Sequence, residues 1–260
     1  VDFIKCDDIC ATGFTNPRRY GERHEVEMLH KAIAHCGRPI VLSLSPGPAV
    51  VEESWHYKKY ANMWRITDDF WDNWETLLHM FDRCEKWQDH VSQGCWPDCD
   101  MLPLGKVGKY FGCERDTLFT REEQKTMMTL WCIFGSPLML GAEMTMLDEW
   151  TLSLLQKEEL LRLENGSFVS RQVLRDDDRC VWASVDPKTG EHYIALFNLR
   201  DEPQQICVSL DECSAMFPDG YVTGSAEEMK EVWSGDILQI VDAAVQAEVP
   251  PHGVLLLHAI

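Results

Sequence analysis

Three pairs of ionisable residues stand out by type and spacing: Lys5 with Asp7, Arg65 with Asp69, and Asp98 with Asp100. Each pair closes a short apolar run, where a strand would end. Alternate residues of a strand share a face, so Lys5 and Asp7 are neighbours in space. A nearby cation favours the ionised carboxylate that a nucleophile or a ligand clamp needs. An exposed ion pair at a strand end is the other reading of the same two residues. Carboxylates, two cations and the indoles of Trp64, Trp71 and Trp96, without a metal or nucleotide signature, suit cleavage of a glycosidic bond. In that reaction one carboxyl group attacks or stabilises the anomeric carbon and the other protonates the leaving oxygen. The indoles could offer flat faces to pyranose rings, although each alone fits a core position better than a platform.

The elements that must position these groups read as strand, then helix, repeatedly. Val1 to Asp8 is expected to be a buried strand, and Gly13 to Tyr20, with Asn16-Pro17, a loop. The spacing of Val26, Leu29, Ile33 and Cys36 predicts a helix over 22–36, stopped by Gly37. A second buried strand runs from Pro39 to Ser45 and is turned by Pro46-Gly47-Pro48. A third begins near Ala61 and continues to Thr67-Asp68-Asp69, before an amphipathic helix over 71–87. Residues 94–101 read as a further strand end, made irregular by Pro97. Thr120 and Glu123 form a capping-box pattern for a helix over 122–134. The apolar run 136–140 and a helix over 147–163 complete the series. No G-x-G-x-x-G or P-loop follows any strand, so the parallel α/β pattern favours a barrel, whose chemistry gathers at the carboxyl ends of its strands.

From Ser167 the pattern changes to short alternating runs at 171–174, 180–185, 192–198, 205–210 and 254–258. Turns such as Asp186-Pro187-Lys188-Thr189-Gly190 separate them, as in an antiparallel sandwich. Two domains are therefore expected, 1–165 and 166–260. The net charge of -19 argues against a nucleic-acid partner. No apolar run is long enough to span a bilayer, and the first residues lack a basic-then-apolar leader pattern. Opening in mid-strand without Met, the chain is expected to continue upstream. Eleven Cys, an odd number in a chain of this size, lean towards free thiols in a reducing, cytoplasmic setting. Cys95 and Cys99, with Cys84 upstream, lack the partners of a metal cluster, so no metal and no cofactor are expected.

The segments VDFIKCDD, ANMWRITDDFWDNW and GCWPDCDMLPLG, followed by MMTLWCIFGSPLMLG, resemble family 27 of the glycoside hydrolases, the α-galactosidase or melibiase group. The resemblance covers nearly the whole chain. It implies the C-terminal part, strands 4 to 8, of a (β/α)8 TIM barrel followed by an antiparallel β-sandwich. It also implies hydrolysis of terminal α-galactosides with retention of configuration. The family's Lys-x-Asp falls on Lys5 and Asp7, making Asp7 the nucleophile. Its Trp-Arg-x-x-x-Asp falls on Trp64, Arg65 and Asp69, making Arg65 a sugar ligand and Asp69 the acid/base, with Asp68 the alternative register. Its Trp-x-Asp-Pro-Asp-Met falls on Trp96 to Met101 with Cys99 in place of Pro, leaving Asp98 and Asp100 as sugar ligands or pocket supports.

The chain also departs from the family pattern. Where many α-galactosidases carry Cys-Glu-Trp after the fifth strand, this chain has Leu44-Ser45-Pro46. A Ser at position 45 resembles the related α-N-acetylgalactosaminidases and leaves the sugar's 2-substituent open. The family's disulfide between these two strands cannot form, because Ile9 and Leu44 occupy its positions. The segment that supplies contacts to the 4- and 6-hydroxyls is expected upstream. The expected partner is an oligosaccharide or glycoconjugate bearing α-galactosyl ends, with no nucleic acid or membrane and with self-association left open. A non-catalytic fragment or carbohydrate-binding remnant is the reading from another class. An unrelated α/β protein with surface ion pairs is the third.

Overall fold

The computed structural model describes residues 1–10, 20, 22–108, 112–164, 167–217 and 228–259. A parallel sheet is built from β1 (Phe3–Asp7), β2 (Val41–Ser45), β3 (Met63–Arg65) and β4 (Trp96–Asp98), in that spatial order. The connections carry α1 (Arg23–His35), α2 (Ser54–Tyr60) and α3 (Trp74–Trp87), which makes this region a run of βα units. β5 (Met101–Leu102) continues the β4 segment and pairs in parallel with β8 (Met139–Leu140). Between them lie the short antiparallel pair β6 (Lys106–Val107) and β7 (Arg115–Asp116) and the helix α4 (Arg121–Phe134).

Thr120 caps α4 as the sequence implies. Its hydroxyl accepts from Glu123 N at 3.2 Å while Glu123 Oε2 accepts from Thr120 N at 2.7 Å. The apolar run 147–163 is two helices, α5 (Glu149–Leu155) and α6 (Glu158–Glu164), instead of the expected one. The chain leaves helical geometry at Gln156, where φ is -106° and ψ 11°. β1 also differs from the expected buried strand. Among the described residues it pairs only with β2, and the face carrying Phe3, Lys5 and Asp7 is exposed. Of the expected loop Gly13 to Tyr20, residues 13–19 lie outside the described residues.

The second region is antiparallel. β9 (Val169–Arg175), β10 (Arg179–Val185) and β11 (His192–Asn198) lead into β12 (Gln204–Ser209) and the short helix α7 (Leu210–Ala215). β13 (Glu228–Glu231), β14 (Ile237–Gln239), β15 (Ala244–Val249) and β16 (Val254–Ala259) follow. One sheet has the order β14-β13-β16-β11-β10-β9, and β12 with β15 forms the opposing layer. Every residue of β11 is buried, because the large sheet is covered on both sides. Val181, Ala183, Ile194 and Leu196 pack with Ile206, Val208 and Val245 of the small sheet. Cys180, Trp182, Ala195 and Phe197 face the other way and join α4, through Met127, Trp131 and Phe134, in the larger core. The two regions therefore share one apolar core, with α4 between them.

Candidate active site

The two faces of the parallel sheet differ in kind. Pairing aligns Lys5 with Ser43, Asp7 with Ser45, Ser43 with Met63, Met63 with Trp96 and Arg65 with Asp98. Aligned residues share a face, so Lys5, Asp7, Ser43, Ser45, Met63, Arg65, Trp96 and Asp98 lie on one side. The opposite side carries Ile4, Cys6, Leu42, Leu44 and Trp64, which pack into the core under the helices. The polar row Asp7, Ser45, Arg65, Asp98 closes the carboxyl ends of its strands, the end from which barrel chemistry is built.

Arg65 is the hub. Its side chain is 10% exposed, and its Nη1 donates to Asp69 Oδ1 at 2.8 Å and lies 3.9 Å from Asp100 Oδ2. Asp69 itself is 75% exposed. The partner of Arg65 is thus Asp69 rather than Asp68, which lies against the Gly47 turn. Asp100 has φ +72°, an uncommon conformation for a residue with a Cβ, and its groups are held on three sides. Its amide donates to Asp98 Oδ1 at 2.8 Å, its Oδ2 accepts from Phe70 N at 2.8 Å, and its carbonyl accepts from Trp131 Nε1 of α4 at 3.2 Å.

Asp98 is 4% exposed. Burial pushes its carboxyl up to about 6, the neighbouring Asp100 charge pushing the same way. The Asp100 amide and the Lys5 and Arg65 cations pull it back. Lys5 acts on Asp98 although their strands stand at opposite edges of the sheet, about 14 Å apart if it were flat. In a barrel wall this face is the inner one, so the polar row lies where barrel chemistry is built. Two donors in the row, Ser45 Oγ and Arg65 Nε, are buried without a hydrogen-bond partner among the described residues.

The structure brings Arg65, Asp69, Asp98 and Asp100 into one network and sets Asp7 and Ser45 in the same row, with Lys5 two residues below Asp7. It does not bring the indoles of Trp64 and Trp96 to this network. Trp64 is fully buried on the helix side, stacked on Tyr57 at 5.5 Å. Trp96 stands at the amino end of β4, lining a cavity with Val91, Phe134 and Phe168. Trp71 is half-buried in the loop after β3. Ile9 and Leu44 are both buried and apolar, so packing stands where the family's bridge would be. All eleven cysteines are free.

Sequence reasoning missed the clamp on the Asp69 loop. Arg115 of β7 grips Asp72 with both terminal nitrogens, one at 2.7 Å, and Asp72 Oδ2 accepts from Leu118 N at 2.6 Å. The third acid of the DDFWD run was the available signal, whereas nothing local marks Arg115. Among the described residues no cluster of three or more His, Cys, Asp or Glu is placed to hold a metal ion.

The alpha galactosidase A family model matches residues 1–165, and the alpha galactosidase C-terminal beta sandwich model matches residues 176–259. The chain belongs to the alpha-galactosidase family. The fold is that of its members: the C-terminal strands of a (β/α)8 barrel, then an antiparallel sandwich. Among solved family 27 structures, a β-L-arabinopyranosidase from Geobacillus stearothermophilus is 43% identical, with a TM-score of 0.89, covering 100% of this chain and 57% of its own. A candidate alpha-N-acetylgalactosaminidase from Bacillus halodurans C-125 is 41% identical, with a TM-score of 0.78 and coverages of 100% and 58%. Alpha-galactosidase 2 of Arabidopsis thaliana is 25% identical over 254 residues, covering 97% of this chain and 58% of its own. The chain thus spans between half and two thirds of the length of these relatives.

Proposed function

We propose that the polypeptide carrying this chain is a retaining glycosidase that removes terminal α-D-galactosyl residues from oligosaccharides or glycoconjugates. The observation that carries the reading is the row Asp7, Ser45, Arg65, Asp98 at the strand ends, with Arg65 reaching Asp69. Asp7 attacks the anomeric carbon while Asp69 gives its proton to the leaving oxygen. The glycosyl ester on Asp7 is then hydrolysed by a water that Asp69 deprotonates, so two inversions give net retention. Lys5 lies beside the nucleophile. Arg65 and Ser45 offer their unpartnered donors to sugar hydroxyls. Asp98 and Asp100 accept from other hydroxyls or hold Arg65 in place.

Two specific observations favour neighbouring substrates. The 43% identity to a β-L-arabinopyranosidase favours the pentoside, which has the ring configuration of an α-D-galactoside without the hydroxymethyl group. Ser45, small where many relatives carry Glu, favours an N-acetyl group at the 2-position. The test is a panel of the aryl α-galactoside, β-L-arabinopyranoside and α-N-acetylgalactosaminide, offered to the longest natural form of the polypeptide. Release of aryl alcohol from the galactoside at the highest kcat/KM is the expected result. Preference for either other sugar reassigns the substrate, and silence on all three favours a non-catalytic fragment.

A further inference from the structure

Helix α3 and the turn after β4 bring two thiols into contact. Cys84 Sγ and Cys99 Sγ lie 3.7 Å apart, and both side chains are fully buried. Cys99 stands where the family pattern noted above has Pro, and the contact follows from that departure. We propose that Cys84 and Cys99 are an oxidation site, a dithiol that peroxide closes to a disulfide and that disturbs the Asp98–Asp100 turn as it closes.

A disulfide holds its sulfurs about 2.05 Å apart, so the pair must close by roughly 1.6 Å. Helix α3 resists this movement. Leu77, Met80, Phe81 and Trp87 bury its inner face, and Arg83 Nη1 ties it to Ile66 O at 2.7 Å. Cys99 is the softer side, because among the described residues its amide is held by a single hydroxyl, Ser136 Oγ at 2.9 Å, between flanking residues Asp98 and Asp100. Drawing Cys99 towards α3 therefore pulls on Asp98 and Asp100, which flank it. Asp100 Oδ2 in turn holds Phe70 N, next to Asp69. The third thiol nearby, Cys180, donates instead to Gln172 Oε1 at 3.2 Å.

The chemistry balances with hydrogen peroxide as oxidant. One thiolate attacks the peroxide O–O bond, becoming a sulfenic acid and releasing hydroxide, which takes up the thiol proton as water. The second sulfur then attacks the sulfenic sulfur, its S–O bond breaks, and the oxygen leaves as a second water. Two thiols are oxidised and one peroxide is reduced to two waters. Burial first, then the adjacent Cys99, keeps the Cys84 thiol protonated well above the usual range, so closure is slow at neutral pH and faster in alkali.

The effect on turnover rests on the proposed function, whereas the disulfide itself does not. The full chain is treated with hydrogen peroxide, unfolded in the presence of N-ethylmaleimide, digested and weighed. The expected result is a joined pair of Cys84 and Cys99 peptides, two hydrogens lighter than their sum, forming faster at higher pH and separated by dithiothreitol. Both thiols capped while exposed Cys36, Cys113 and Cys207 are oxidised would overturn the proposal, as would Cys84 joined to Cys180. Cys99→Ala removes the link. Where the reduced chain turns over, peroxide should cost the wild type about tenfold or more, since displacements near 1 Å act at that scale, and should cost the variant far less. A linked but fully active protein overturns the coupling to the turn. A linked protein that never turns over, even when reduced, overturns the glycosidase reading and leaves the disulfide standing.

Discussion

At the scale of the residue, Arg65 divides the candidate site into groups that meet substrate and groups that support them. Asp7 and Asp69 are exposed, which suits residues that must touch a ligand. Asp7→Asn and Asp69→Asn should each lower kcat roughly 10³-fold while leaving the urea midpoint nearly unchanged. Wild-type turnover in either would remove that residue from its role. Asp98 is the opposite kind of group. Its folded carboxyl titrates at about 6 against about 3.9 in the unfolded chain, so the folded state holds the proton more tightly. The stability linked to that proton is complete below about pH 4 and is lost as pH rises through about 6, a swing of ~3 kcal/mol. Asp98→Asn keeps the acceptor for Asp100 N and removes the charge. It should therefore match the wild type near pH 4 and exceed it by ~2–3 kcal/mol above pH 7, measured by urea unfolding. An equal gap at both pH values would contradict the burial argument. The Lys-x-Asp and Arg-x-x-x-Asp spacings were legible because strand alternation and loop length act locally. That Trp64 is a core residue was not, since it differs from a platform only by pointing to the helix side of its strand.

At the scale of the element, termini proved more legible than interiors. The capping box at Thr120 is a four-residue signal with one geometric solution, and Thr120→Ala should cost about 1 kcal/mol in equilibrium unfolding. Gly135 ends the same helix at φ +86°, where an added Cβ would lie 3.1 Å from Val91 Cγ1. Gly135→Ala should accordingly cost ~1–2 kcal/mol, and a neutral effect would show that the turn relaxes without strain. The break between α5 and α6 was hidden because the apolar spacing of 147–163 continues across it. The short helices α2 and α7 were hidden because too few residues repeat to show a period. β11 was found but its setting was not. A strand of a two-layer sandwich should alternate apolar with polar, yet HYIALFN is buried throughout because α4 covers the face that would otherwise meet water.

At the scale of the molecule, α4 makes the sandwich part of the site's support. Trp131 on its inner side bonds Asp100 O, while Thr126 bonds His252 O at 2.7 Å and Thr129 Oγ1 accepts from Trp233 Nε1 at 3.2 Å. His252 itself stacks on Trp74 at 3.8 Å and touches Glu123 at 2.8 Å and Asp201 at 2.9 Å, joining α3, α4 and the sandwich. His252→Ala should destabilise the chain by ~1–3 kcal/mol and lower the cooperativity of thermal unfolding seen by calorimetry. An unchanged single transition would mean that the apolar core alone couples the regions. The reading as a whole stands on a double displacement through Asp7 and Asp69. Proton NMR tests it most directly, with an aryl α-galactoside and the longest natural form of the polypeptide, by showing which anomer of free galactose appears first. The expected first product is α-galactose, with the β anomer arising later by mutarotation, and β-galactose as the first product would contradict the mechanism.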